Sequence, residues 1–285
     1  MSEPISITTE EIFDAHIGGK LEISLTAPID TKKDLSIAYT PGVAQVSRAI
    51  FEKPELAKTH TWANRLVVVV SDGSAVLGLG DIGAAASLPV MEGKSALFQR
   101  FAGLNSIPLV IDTQDVDEIV ETVVRLRHSF GAVNLEDVSA PRCFELESKL
   151  IEALDMPVMH DDQHGTAVVV LAAMTNGARF IGKDLTSLRV VISGAGAAGI
   201  AVCAMLLSVG ISDVILLDSK GIISSHRQDL NAIKTEFEAK TNPRNVQGGI
   251  GEALQEANVF IGVSSGTIAE ENFARMSPDS MKIGR

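Results

Sequence analysis

The 285-residue sequence predicts an α/β fold of parallel strands and covering helices, arranged in two successive units. Three observations carry this expectation. Short apolar runs such as IPLVIDT and LRVVIS alternate with longer helical patterns, the β-α-β order that demands right-handed crossovers between parallel strands. Two turns, GLGDIG (Gly78–Gly83) and GAGAAG (Gly194–Gly199), share the G-x-G-x-x-G spacing. The apolar runs of the first half also finish in acidic residues, at the edge where open α/β sheets bind ligands.

Taken in order, the first sixty or so residues read as helical stretches and a loop. RLVVVVSDGSAVLGLG reads as a β-hairpin, because two apolar runs flank Asp72-Gly73, a dipeptide favoured in tight primed turns. IPLVIDT is a short buried strand. DVDEIVETVVRLRHSF is an amphipathic helix with Val116, Ile119, Val120, Val123 and Val124 on one face. GAVNLED is the next strand, and APRCFELESKLIEAL the next helix, with Pro141 suited to its first turn. MPVMHDD is a further strand, and HGTAVVVLAAMTNGARF a long apolar helix, so the unit boundary falls near Gln163.

The composition is that of a soluble globular chain, 46% hydrophobic and 21% charged, with no apolar run approaching the roughly 20 residues of a membrane span. The N-terminal MSEPISITTEEIFDAH is acidic and lacks the basic-then-apolar plan of a signal peptide. Cys143 and Cys203 form neither a disulfide framework nor a C-x-x-C pair, which fits a reduced, cytoplasmic protein. A net charge of −12 argues against nucleic acid or an anionic membrane as partner. A small anionic substrate is compatible only with cations placed locally.

Of the two glycine turns, GAGAAG has the context of a nucleotide site. Strand LRVVIS precedes it, helix IAVCAMLLSVG follows, and VILLD ends at Asp218, 19 residues past Gly199, where a ribose-binding acid is expected. Gly194, Ala195, Gly196, Ala197, Ala198 and Gly199 would then wrap a pyrophosphate at a helix N-terminus. Asp218 favours NAD, whereas Lys220 could pair with the 2′-phosphate of NADP. GLGDIG follows the expected hairpin without a βαβ unit around it, and reads as a turn.

Asp112, Glu136-Asp137 and Asp161-Asp162 all lie at predicted strand ends. Converging carboxylates repel unless a cation joins them, and an oxygen-only set suits Mg²⁺ or Mn²⁺. Acids at helix starts are equally explained as caps. His160 and His164, with a turn between them, receive no ligand role. Tyr39, in AYTPGVA, and Lys94, in PVMEGKSALF, are candidate acid and base; a packed tyrosine and a solvated lysine are the ordinary alternatives.

In series, AYTPGVA, SDGSAVLGLGDIG, PVMEGKSALF, NLEDVSAPRCFE, HDDQHGTAVVVLAA and VISGAGAAG closely resemble the malic enzymes, in particular the short bacterial type, from about Gly18 to Gly266. The resemblance implies an N-terminal α/β domain of malic-enzyme type over residues 1–162, then a Rossmann-type dinucleotide-binding domain over 163–285 that is incomplete at its C-terminus. It implies oxidative decarboxylation of (S)-malate to pyruvate and CO₂ with NAD or NADP and Mg²⁺ or Mn²⁺, in a homodimer. Tyr39 would be the general acid and Lys94 the base, with Asp161 supporting the lysine; Glu136, Asp137 and Asp162 would bind the cation. The family's strand ending in Ala-Asn-Pro has no equivalent before MKIGR. An oxaloacetate decarboxylase on the same scaffold, and a non-catalytic fragment pairing with full-length subunits, are the competing readings.

Overall fold

The computed structural model describes residues 6–76, 78–264 and 266–284, which divide into two compact units. One comprises residues through Val138 with Leu146–Met159; the other comprises Ser139–Glu145 and His160 onward.

The first unit opens with four short helices, α1 (Thr9–Asp14), α2 (Lys32–Ala38), α3 (Val43–Glu52) and α4 (Ala57–His60). Thr8 and Thr31 start α1 and α2 through capping boxes with Glu11 and Asp34, satisfying backbone N–H groups that a helix start leaves unpaired. None of these four helices contains a fully buried residue.

The sheet has the order β2-β1-β3-β4, with β1 (Leu66–Ser71), β2 (Asn105–Val110), β3 (Ala132–Leu135) and β4 (Val158–His160). β1 runs parallel to both β2 and β3, so RLVVVV is a central strand and the expected hairpin does not form. The reason is visible in its burial. All six residues of β1 are buried, as in a strand covered on both faces, and a hairpin arm with one wet face would alternate. Asp72-Gly73 does turn the chain, with Gly73 at φ +72°, but the following segment contributes only a single bridge, Val76 to Gly80.

After that loop comes α5 (Gly83–Leu97), then β2, so GLGDIG lies inside a parallel βαβ unit after all. Gly78, Gly80 and Gly83 all have positive φ, and the carbonyl of Gly73 accepts from the N–H groups of Ile82 and Gly83. The loop folds back on itself at the strand end instead of passing straight from strand to helix. Helix α6 (Val116–Arg125) buries Val116, Ile119 and Val123 as its periodicity predicts, and α7 (Arg142–Ala153) follows Pro141.

The second unit begins with α8 (Asp161–Phe180), which starts three residues earlier than HGTAVVV suggests. Its sheet has the order β7-β6-β5-β8-β9, where β5 is Arg189–Ser193, β6 Asp213–Asp218, β7 Gly221–Ile222, β8 Val259–Gly262 and β9 Met281–Gly284. All neighbours are parallel except β7, which returns antiparallel to β6. The MKIG segment thus forms a strand, which the sequence did not announce. Helix α9 (Ala197–Ser208) lies between β5 and β6 in the chain; α10 (Ala232–Glu238), α11 (Ile250–Ala253) and α12 (Glu270–Phe273) complete the unit.

Strand residues alternate between two cores. Val190, Ile192, Val214 and Leu216 pack with α8 and α9, while Val191, Ile215, Leu217 and Phe260 pack on the opposite face with Leu254 and Met276. Among the described residues no helix is long and apolar enough to cross a membrane.

Candidate functional site

In the first unit the chemistry gathers where β1 and β3 end. Glu136 and Asp137 directly follow β3 and are 6% and 5% exposed, rare for acids and a reason to look for partners. Glu136 Oε1 lies 3.0 Å from Lys94 Nζ, presented from the last turn of α5, and Glu136 Oε2 accepts from Asn134 Nδ2 at 2.9 Å. Lys94 and Glu136, expected as base and cation ligand, are therefore brought together, with the lysine three-quarters buried. Asp137 sits in the left-handed region at φ +53°, an uncommon conformation that asparagine and aspartate tolerate best, and its carbonyl accepts from Ala75 N–H at 3.0 Å. This contact fixes the loop after β1 against the loop after β3. Asp72, also buried, caps that first loop by accepting from the backbone N–H and hydroxyl of Ser74 at 3.0 and 2.6 Å.

Sequence reasoning missed Asn134. It lies on β3 two residues before Glu136, donates to that carboxylate, and is 2% exposed. Its Oδ1 has no hydrogen-bond partner among the described residues. A buried carbonyl oxygen left over on the side chain that holds the Glu136 carboxylate is the kind of donor a hard cation takes.

Tyr39 ends α2, with its N–H bonded to Leu35 O and its carbonyl accepting from Val43 N–H. The following turn requires Gly42, where a Cβ would come within 2.5 Å of Ser36 O. The phenol is 67% exposed, and its hydroxyl has no hydrogen-bond partner among the described residues. It is an exposed side chain on a shaped loop, not a core tyrosine.

In the second unit, Asp161 and Asp162 form the first turn of α8, where negative charge favours the helix dipole. Gly165, one turn on, leaves room for the Asp161 carboxylate; a Cβ there would meet Asp161 Oδ1 at 2.5 Å. Asp162 Oδ2 lies 3.2 Å from Nε2 of His160, a fully buried ring whose Nδ1 is 2.9 Å from Gln163 Nε2. With that amide donating to Nδ1, the ring carries its proton on Nε2, toward Asp162. Burial lowers the His160 pKa, but its contacts with Asp162 and Cys143 outweigh this and raise it to about 9. A flipped Gln163 amide would serve the protonated ring equally well.

GAGAAG turns from β5 into α9. Gly194 has φ +121°, and a Cβ on Gly199 would approach Gly194 O to 1.7 Å, so helix and strand meet only because the residue is glycine. At Gly196, which caps α9, a Cβ would meet nothing within 4 Å. That open space beside a helix N-terminus is what a pyrophosphate needs; Ala195, Ala197 and Ala198 keep the rim small.

Beyond the end of β6 lies a cavity of about 620 Å³, lined by Asp218, Ser219, Lys220, Ser224, His226, Arg227 and Gly248 among others. Asp218 Oδ1 accepts from Arg227 Nη1 at 2.7 Å and from Lys220 N–H at 2.9 Å. Its Oδ2 accepts from Lys234 Nζ at 2.6 Å and Arg227 Nη2 at 3.2 Å. Burial raises the Asp218 pKa, yet the Arg227 and Lys234 contacts prevail and hold it at about 2. Arg227 also forks onto Asp229, whose Oδ2 accepts from Lys220 Nζ at 2.7 Å. The arginine and second lysine were not foreseen, since they arrive from a loop and from α10.

An α/β unit with a buried lysine–carboxylate site, followed by a unit with a glycine turn and a cavity past its second strand, defines a two-unit α/β protein of dinucleotide-binding type. The chain matches the family model "Malic enzyme, N-terminal domain" over residues 18–151 and "Malic enzyme, NAD binding domain" over residues 163–278. The chain belongs to the malic enzyme family. It is 47% identical to an NAD-dependent malic enzyme of Geobacillus stearothermophilus over 95% of this chain and 57% of that protein. It is also 47% identical to an NADP-dependent malic enzyme of Halomonas elongata, over 92% of this chain and 62% of that protein. It therefore spans under two thirds of either relative, and similarity alone does not choose between the two nucleotides. The crystal structure of an NAD-dependent malic enzyme from Thermotoga maritima superposes with a TM-score of 0.92 at 40% identity, covering 97% of this chain and 74% of that one.

Proposed function

We propose that this chain carries the oxidative decarboxylation of (S)-malate to pyruvate and CO₂, with NAD or NADP as hydride acceptor and Mg²⁺ or Mn²⁺ as cofactor. The observation that supports it most is the pairing of Lys94 with Glu136 beside the buried, left-handed Asp137. Glu136, Asp137 and Asp162 are the residues that would hold the cation; Gly194 to Gly199 would hold the pyrophosphate, through Ala195, Gly196, Ala197 and Ala198. When bound, the cation supplies Lewis-acid polarisation and the nicotinamide accepts the hydride.

The chain's own residues handle the protons. Lys94, freed from Glu136 and in its neutral amine form, accepts the proton of the C2 hydroxyl as the C2 hydride leaves, and Asp161 supports its later return to that neutral form. Loss of the β-carboxylate as CO₂ leaves the enolate of pyruvate, and Tyr39 returns a proton to its C3. Oxaloacetate and pyruvate are then further small-molecule ligands of the same site. The exposed apolar residues Phe13, Ile17, Ile37 and Phe51 on the N-terminal segment support association as a homodimer, which sedimentation would report.

The test is malate turnover with Mn²⁺ and each nucleotide, in this chain and in a chimera adding the remaining length of the Geobacillus relative. Lys94→Ala and Tyr39→Phe should each lower kcat by about 10²–10⁴-fold, the usual share of a general acid or base. A small amine should restore part of the lysine variant's rate and none of the phenylalanine variant's. Parental rates in Lys94→Ala would end the proposal. Release of CO₂ from oxaloacetate, without malate oxidation, would favour a decarboxylase.

A further inference from the structure

The charged groups beyond β6 form one chain of contacts, Lys234–Asp218–Arg227–Asp229–Lys220, alternating in sign. Three cations against two carboxylates leave a net positive cluster beside the cavity, in a protein of net charge −12. Within it Asp218 is only 10% exposed, and both its oxygens already accept two hydrogen bonds each. A carboxylate offers about four acceptor positions, so none is left for a ribose hydroxyl. Asp218 holds the cations in place.

Lys220 is different. Its side chain is 68% exposed and lines the cavity, and its partner Asp229 is itself 37% exposed. An exposed pair of this kind is worth little and is readily exchanged. Arg227, by contrast, is 14% exposed and clamped from both sides.

Resting on the dinucleotide reading of this unit, we propose that the cavity beyond β6 selects NADP over NAD. Lys220 exchanges Asp229 for the ribose 2′-phosphate, and Arg227, fixed between Asp218 and Asp229, supplies the second cation. Ser219 and Ser224, which also line the cavity, are the neutral donors in reach of the same group. A phosphate adds nearly two negative charges to a cluster with one positive charge in excess, whereas a free 2′-hydroxyl, with Asp218 fully engaged, gains no charge-assisted bond to a carboxylate there.

Calorimetric titration of the chain with NADP⁺ and NAD⁺, and with 2′,5′-ADP and 5′-AMP as nicotinamide-free probes, tests this without turnover. The parent should bind each 2′-phosphorylated ligand at least about tenfold more tightly than its counterpart, the size of one charge-assisted hydrogen bond. Lys220→Ala should weaken NADP⁺ and 2′,5′-ADP about tenfold and leave NAD⁺ and 5′-AMP unchanged. Asp229→Asn, which frees Lys220, should tighten the phosphorylated pair alone. Tighter NAD⁺ binding in the parent, or equal weakening of all four ligands by Lys220→Ala, would overturn the preference while leaving the dinucleotide site standing. Binding of none of the four would overturn both.

Discussion

At the scale of single residues, Asp218 carries a pH signature. Its carboxyl titrates at about 2 in the folded chain, against 3.8 when unperturbed, because Arg227, Lys234 and the Lys220 N–H favour the charged form against burial. A depressed carboxyl contributes stability that is complete above about pH 4 and lost as pH falls through 2. Asp218→Asn should therefore be less stable than the parent by a constant amount from pH 5 to 7, and the gap should narrow below pH 4 and close as pH falls through 2. Urea midpoints from pH 7 to below pH 2 measure it; a gap that does not narrow below pH 4 would remove Asp218 as its source. The position of Asp218 was legible from its distance past Gly199, as were the glycines, because backbone geometry leaves glycine few substitutes at Gly194 and Gly199. Its partners were not. Arg227 and Lys234 lie nine and sixteen residues further on, in segments with no periodicity that points back to a strand end. The pairing of Lys94 with Glu136 was hidden for the same reason, since each residue was visible in its own motif and only the sheet order joins them.

Elements were legible where one pattern dominated. Helix α6 is the clearest, with its apolar stripe and an N-cap at Asp115, whose Oδ1 accepts from the N–H groups of Asp117 and Glu118 at 2.9 and 3.0 Å. Asp115→Ala should cost about 1 kcal/mol of stability, and Asp115→Ser should recover most of it, because serine supplies an equivalent acceptor. Chemical denaturation of the two variants decides the point; equal losses would mean that charge against the helix dipole, not the cap bond, is what Asp115 contributes. The hairpin expectation failed where two signals competed. Asp72-Gly73 is a genuine turn, but LVVVVS has no polar alternation, and an unbroken apolar strand belongs in the middle of a parallel sheet. Had that run been weighed above the dipeptide, β1 would have emerged as central and GLGDIG as part of a βαβ unit. The start of α8 was read late because MPVMHDD reads as a strand through Asp162, whereas acids in a first turn complement the dipole and glycine at position 165 accommodates Asp161.

For the whole molecule, the question is how a chain of net charge −12 would receive the anionic ligands proposed for it. Its long-range field would repel the malate and nucleotides proposed as its ligands. The Lys220–Arg227–Lys234 group reverses the sign locally in one unit, whereas in the other Lys94 faces Glu136 and Asp137 and the proposed divalent cation would have to do so. The two fields differ in reach. At 10 mM salt the Debye length is about 30 Å and the entire charge acts on an approaching ligand; at 150 mM it is about 8 Å, and mainly the adjacent cluster is felt. The association rate of NADPH should therefore rise with salt over this range, by about twofold or more, opposite to the fall seen when a protein steers its ligand by net attraction. The dissociation rate should rise as well, because salt also weakens the contacts made at the cluster. Stopped-flow measurement of NADPH fluorescence separates the two rates. An association rate that falls as salt is added would mean that the three cations govern the approach from a distance, and that the surrounding acidity is too dispersed to matter.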